Sequence, residues 1–233
     1  MKLSDLKSIT DDQINSPDKH TKTPIFHSVE KQNFDIFISL LSRGANHNHK
    51  TKDGRTLVHY AAKKPETKFL EKLKELGLNL DQKAEGGRTP LMEACESAQL
   101  APAKYLIENG VNINAVNDFG GTALAAAAYN DFPDMIEYLT SKGADPNIFP
   151  VNGFSPLRNS LWFRHIDNAE ILIRHGAKVV GQDRTFVDAI ISQERTSDKI
   201  LLLEFLRKHG FKLNAVDETG RSLLIRAIER KDI

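Results

Sequence analysis

Apolar positions along this chain return in clusters with a fixed period. Leucine stands at Leu40, Leu73, Leu106, Leu139, Leu172 and Leu206, each four residues before a glycine. Those glycines are Gly44, Gly77, Gly110, Gly143, Gly176 and Gly210; the first five are 33 residues apart and the last gap is 34. A column of hydroxylated residues runs Thr23, Thr56, Thr89, Thr122, Ser155, Thr185 and Ser222. A second glycine column runs Gly54, Gly87, Gly120 and Gly153. Columns sharing one phase mark an internal repeat, in which each unit is one supersecondary element.

The pattern inside a unit predicts two helices. The Thr or Ser is placed as an N-cap, its oxygen free to accept an amide of the first helical turn. Pro24, Pro90 and Pro156 follow at the first helical position, where a missing N–H costs nothing. A short apolar helix comes next, as in LMEACESA at 91–98 or ALAAAAYN at 123–130. A break carrying Pro65, Pro102 or Pro133 opens a second, amphipathic helix, exemplified by Ile36, Phe37, Leu40 and Leu41. Glycine then ends it in a left-handed cap, and a polar stretch such as ADPNIFPVNGF at 144–154 leads to the next unit.

Composition narrows the class. Lys+Arg is 32 against 31 Asp+Glu, and this balance speaks against bulk binding to nucleic acid or to a membrane surface. The single cysteine, Cys95, rules out an intramolecular disulfide and suits a reducing compartment. The first fifteen residues, MKLSDLKSITDDQIN, hold no apolar core of a secretory signal, and no apolar run is long enough to span a bilayer. The expectation is a monomeric cytoplasmic protein.

The segments TPIFHSV at 23–29, GANHNHKTKDGRT at 44–56, TPLMEAC at 89–95, GVNINAVNDFGGT at 110–122 and GADPNIFPVNGFS at 143–155 resemble the ankyrin repeat. The resemblance covers residues 23–233 and implies an all-α solenoid with a β-hairpin-like loop between repeats. Six full repeats start near 23, 56, 89, 122, 155 and 185, and a half repeat starts at 222. Residues 1–22 read as an N-terminal cap and linker, with a short helix from Ser4 to Ile14. No repeat holds a complete core, so neighbours must supply it.

The sixth unit departs from the pattern. Its loop, from Gly176 to Thr185, is three residues short, and four extra residues fall in SQERTSDK at 192–199, expected between its two helices. SLLIRAIERKDI, from Ser222 to Ile233, matches a first helix, which either caps the array or leads into further sequence.

Chemistry for catalysis is sparse. The chain has no glycine-rich phosphate loop, no paired-cysteine zinc spacing and no helical HExxH, so no enzyme, metal or cofactor is expected. Cys95 falls at a small-residue position of a first helix and reads as a packing thiol. His47 and His49 alternate in one loop, with His20 and His27 nearby in sequence, but lack further ligands. His59 matches the histidine of the family motif, which orders the loop; His175 and His209 sit at helix C-termini, where the dipole suits them. Lys63, Lys64, Lys68, Lys72 and Lys74 interleave with Glu66, Glu71 and Glu75 as a solvated face.

The family usually binds partners through its loop tips and the exposed side of its first helices. Transferred to this chain, those slots single out Arg88, Asp118, Phe119, Tyr129, Asn130, Phe154, Trp162, Phe163 and Arg164 as partner-binding residues on one concave face. Aromatics and arginine are the usual anchors of interfaces. Asn114 and Asn147 occupy the loop slot at which asparagines of the family can be hydroxylated. The function expected is non-catalytic protein binding through the middle repeats. A targeting arm of a larger enzyme or of a bacterial effector in host cytoplasm, and an inhibitor or immunity-type protein, are the alternatives.

Overall fold

The computed structural model describes residues 8–148, 155–178 and 196–210, with Gly220 and Ser222. Eleven α-helices fall within them. Five pairs come first: α1 (Pro24–Glu30) with α2 (Phe34–Ser42), and α3 (Leu57–Ala62) with α4 (Lys68–Glu75). Then come α5 (Pro90–Glu96) with α6 (Leu100–Glu108), α7 (Ala123–Tyr129) with α8 (Pro133–Ser141), and α9 (Pro156–Trp162) with α10 (Ile166–Arg174). The last, α11, is Thr196–Lys208. Each first helix packs on its own second helix and on the first helix of the next repeat.

The local rules explain the ends of these helices. Thr89, Thr122 and Ser155 accept the backbone amides of Met92, Ala125 and Arg158 at 3.3, 3.0 and 3.1 Å. Thr56 shares its cap with His59, whereas the Thr23 hydroxyl has no partner. The second helices end as expected. Gly44 has φ +87°, the Ala45 N–H donates to the Leu40 carbonyl at 2.9 Å, and the Gly44 N–H donates to Leu41 at 3.1 Å. Every leucine of the 40-to-206 column is at most 1% exposed, so one residue type both closes the cap and fills the core.

Three of the five first helices, α1, α5 and α9, end in the same bond pattern without glycine. Gln32, Ala98 and Arg164 take φ of +56°, +55° and +64°. The N–H groups of Asn33, Gln99 and His165 then reach back to Ser28, Ala94 and Ser160 at 2.9, 2.9 and 2.8 Å. The chain thereby reverses in three residues, which sets the helices of a repeat antiparallel.

Two expectations need correcting. In its described part, the helix drawn over Ser4–Ile14 is a single 3-10 turn, Asp11–Gln13. Arg43 at the end of α2 holds the Asp11 carboxylate at 2.7 Å and the Ile9 carbonyl at 2.6 Å, and this ties the segment to the first repeat. Residues 196–199 of SQERTSDK are not a linker but the first turn of α11. That helix has 13 residues where α2, α6, α8 and α10 have 9, so the four inserted residues lengthen the helix by about one turn. The short loop before Thr185, Thr185 itself and the half repeat beyond Ser222 lie outside the described residues.

Between repeats, a column of side-chain amides fixes the register. Asn15, Asn48, Asp81, Asn114 and Asn147 are 33 residues apart, and three of the five, Asn15, Asn114 and Asn147, bridge to the next repeat in full. Asn114 donates to the Gly143 carbonyl at 3.1 Å and accepts the Asp145 N–H at 2.8 Å. Asn147 treats Gly176 and Lys178 the same way, at 3.0 and 2.7 Å, and Asn15 treats Gly44 and Asn46 so at 3.3 and 2.7 Å. Asp81 makes only half of this bridge. Its Oδ2 accepts the Asn112 N–H at 3.0 Å, while its buried Oδ1 has no partner. A carboxylate has nothing to donate to the glycine carbonyl that faces this slot.

A second polar seam is charged. Glu93 on α5 is 1% exposed. Its Oε1 accepts from Arg88 at 2.9 Å and from Arg55 at 3.1 Å, and Lys63 lies 3.3 Å from its Oε2. Burial pushes the Glu93 carboxyl up, but the Arg88 hydrogen bond and the charges of Arg88, Arg55 and Lys63 outweigh it and hold the group below the usual range. Repeats two and three are thus tied through one carboxylate.

Asp81→Asn should raise stability by about 1 kcal/mol, because the amide completes the bridge made by Asn114 and Asn147; urea unfolding reads this directly. Glu93→Gln should cost about 3 kcal/mol at neutral pH, the low end for breaking a buried pair, since its cations stay partly exposed. An unfolded glutamate titrates near about 4.3, and Glu93 titrates lower when folded. Its contribution is therefore complete above the unfolded value and lost as pH falls through the folded one. Stability measured from pH 7 downward should consequently fall less steeply in the variant than in the wild type.

Candidate functional site

The loops between repeats form a row of tight turns. The Thr51 N–H donates to the Arg55 carbonyl at 2.9 Å, Ala84 to Arg88 at 2.8 Å, and Asn117 to Gly121 at 3.0 Å. Neighbouring turns are joined as well. Glu85 donates to the Asp53 carbonyl at 3.0 Å and Asp118 to the Gly86 carbonyl at 2.9 Å. Gly87 is required here twice over: its φ is +70°, and a Cβ would lie 2.9 Å from the Asp118 nitrogen. Asn117 Oδ1 closes the turn by accepting the N–H groups of Phe119 and Gly121 at 3.0 and 2.8 Å. The Phe119 ring, 71% exposed, is therefore carried on a backbone fixed from both sides.

Tyr129 and Phe163 come together. Their ring centroids are 4.6 Å apart with planes at 65°, an edge-to-face pair, and the residues are 56% and 37% exposed. Tyr129 ends α7; Phe163 caps α9 in the next repeat. Trp162, placed in the same exposed slot by its position, is half-buried instead, with the Arg158 guanidinium 5.7 Å from its ring. Arg158 sits one helical turn earlier, and the side chain of a residue four further on stacks over it. Phe154 lies outside the described residues.

The polar candidates divide. Asp118 is exposed at its tip. Arg164 is exposed in the left-handed turn after α9, so its backbone is a helix cap. Asn130 is half-buried and structural: its Nδ2 donates to Ala126 at 3.1 Å, and its carbonyl accepts from Asn168 at 3.0 Å. Arg88 is engaged by Glu93 and Glu96, which raise its already high pKa further against the pull of burial. Asn114 and Asn147 spend their carboxamides on the inter-repeat bridges described above.

Other chemistry-bearing groups are accounted for by packing. Cys95 is fully buried, and burial pushes its thiol far above the usual range. His59 donates from Nε2 to the Arg88 carbonyl at 3.2 Å and accepts the Thr56 N–H, which links one loop to the next as the family motif implied. His27 lies between Asp18 and Glu30, at 3.0 and 3.1 Å, whereas His49 contacts the Thr21 carbonyl at 2.7 Å, so these two histidines make separate structural contacts. His175 and His209 each face a glutamate of the preceding repeat, Glu137 and Glu170, both at 3.1 Å. The lysine face of α4 is paired: Lys72 with Glu75 at 2.8 Å and Lys68 with Glu66 at 2.5 Å.

Sequence reasoning missed Glu93. Its signal was present: an acid between Leu91, Met92, Ala94 and Cys95, on a helix face that the pattern makes apolar. The left-handed turns at Gln32, Ala98 and Arg164 had no such signal, because only a 6→1 bond in three dimensions demands them.

A family profile described as ankyrin repeats in three copies matches residues 25–117 and 103–183. No curated protein matches the chain. The matched stretches span well over half of the sequence, the helix pairs and loops repeat in the phase described, and the chain belongs to the ankyrin-repeat family.

Proposed function

We propose that this protein is a non-catalytic binding module that grips a partner protein through the concave face and loop tips of its middle repeats, centred on repeats four and five. Ankyrin repeats generally serve as protein–protein interaction modules, which gives the class. The observation that carries the finer reading is the exposed Tyr129–Phe163 pair, with Phe119 on the tip beside it in sequence. Edge-to-face rings held on the ends of two packed helices present apolar area that costs little entropy to bury. Four of the large exposed apolar side chains, Val116, Phe119, Tyr129 and Phe163, fall between residues 116 and 163. By contrast, the concave slots of repeats two and three are occupied by the Arg55, Lys63 and Arg88 pairs to Glu93.

The double variant Tyr129→Ala, Phe163→Ala should lose only about 1–2 kcal/mol of stability, the ring contact plus partial burial. It should nevertheless fail to capture from lysate a protein that the wild type retains, with mass spectrometry as the readout. Equal capture by both would sink the assignment of the surface to these repeats.

A further inference from the structure

We infer that the first two repeats carry a second contact surface, which receives an acidic segment of a partner polypeptide on Lys31, Lys52 and Lys64 around the end of α1. Charge along the chain is uneven. Residues 19–64 hold nine Lys and Arg against the three acids Glu30, Asp35 and Asp53, whereas the whole chain holds 32 against 31. The fold gathers this positive charge. The Lys52 N–H donates to the Thr21 hydroxyl, and His49 bonds the Thr21 carbonyl at 2.7 Å, so the loop before α3 lies against the turn that carries Lys22. Lys64, just after α3, reaches the Glu30 carbonyl at the end of α1 with its Nζ at 3.1 Å. Lys31 caps α1 one residue further on.

The acids beside these lysines are already spent. Glu30 Oε1 accepts from Lys22 at 2.5 Å, and its Oε2 meets His27 at 3.1 Å. Asp18 Oδ2 meets the other ring nitrogen of His27 at 3.0 Å, and its Oδ1 accepts the His20 and Lys22 N–H groups at 2.8 and 2.9 Å. Asp53 holds Thr51 and Arg55, and Glu93 holds Arg55, Arg88 and Lys63. Asp35 stands in the first turn of α2, where it suits the helix dipole. Lys31 and Lys52 are exposed and form no ion pair among the described residues, and half-buried Lys64 has a backbone carbonyl on its ammonium instead of a carboxylate.

The crowding of like charge is felt at Lys64. Burial pushes its ammonium below the usual lysine range; Glu30 opposes the shift, and Lys63, Lys22 and Lys31 add to it. Cations held this close repel one another, and an incoming carboxylate relieves the repulsion. The patch suits a polypeptide better than a nucleic acid, because single strands bind by stacking bases on open rings. Among the described residues no exposed Phe, Tyr or Trp precedes Phe119. Tyr60 is half-buried, with Lys22 Nζ 5.1 Å from its ring centroid.

The test uses the whole chain and three fluorescently labelled peptides of equal length. One is a glutamate–glycine–serine repeat; the others carry glutamine or arginine in place of glutamate. Fluorescence anisotropy should show saturable binding of the glutamate peptide alone, weakened by added salt. Lys31→Gln with Lys64→Gln should weaken it about fivefold or more. The same loss should follow from Lys31→Gln with Lys52→Gln, which removes no side-chain ion pair among the described residues and so keeps the fold. Lys104→Gln with Lys142→Gln, which removes the two lysines beside the Tyr138 ring, should leave binding unchanged. Thermal unfolding confirms that each variant is folded. No binding of the glutamate peptide, equal binding of the glutamine peptide, or an equal loss in the Lys104 and Lys142 variant would each overturn the inference. Tighter binding of a single-stranded oligonucleotide of the same net charge would also overturn it and give the patch to nucleic acid. Tyr129→Ala with Phe163→Ala should bind the glutamate peptide as the wild type does, which keeps this surface separate from the aromatic one; a loss there would move the acidic segment to the rings and remove it from the lysines.

Discussion

The structure depends on the contact between neighbouring repeats, because no repeat encloses a core of its own. That contact has an apolar part and a directional part. The leucine column at positions 40 to 206 supplies the first, buried to within 1%. The amide bridges from Asn15, Asn114 and Asn147 to the glycine carbonyl of the following repeat supply the second. Hydrophobic burial is non-directional and would tolerate sliding. A carboxamide that must donate to one backbone carbonyl and accept one amide does not. Where it forms, from Asn15, Asn114 and Asn147, the bridge fixes the height and rotation of the following repeat.

Once the register is fixed, the surface becomes a set of columns that substitution can vary without touching the frame. Repeats two and three spend their concave positions on an internal ion-pair seam around Glu93, which leaves their charges largely satisfied. Repeat four replaces that seam with alanines in α7 and ends it with Tyr129. Repeat five meets it with Phe163. Repeats two and three are thus closed by ion pairs, whereas repeats four and five leave the Tyr129 and Phe163 rings exposed. The four-residue insertion obeys the same logic: α11 grows by about a turn at its N-terminus and leaves its glycine-capped end in phase.

Most of the architecture could be read from spacing. Four columns in one phase carried the repeat, the two helices, the capping Thr and Ser at 89, 122 and 155, and the glycine-capped ends. These features are local, set by φ, by a missing N–H or by a side chain within one turn, so a linear sequence carries them. The aromatic slots were legible for the same reason, since position within a repeat fixes which helix face a residue occupies.

What only the tertiary structure decided is where the side chains in those slots go. Tyr129 pairs with Phe163 and not with Trp162, whose ring instead takes the Arg158 guanidinium. Arg88 turns to a buried glutamate, and Asn130 to its own helix and to Asn168. The asparagines at 114 and 147 are joints between repeats. Some of these outcomes hang on a partner about 30 residues away, such as Tyr129 with Phe163 and Asn130 with Asn168, and others on a near neighbour such as Arg158 under Trp162. The sequence therefore determined the frame, through rules that act within a single helical turn. The tertiary structure determined which groups the frame consumes and which remain to meet another molecule, because that depends on distances that exist only after the repeats have stacked.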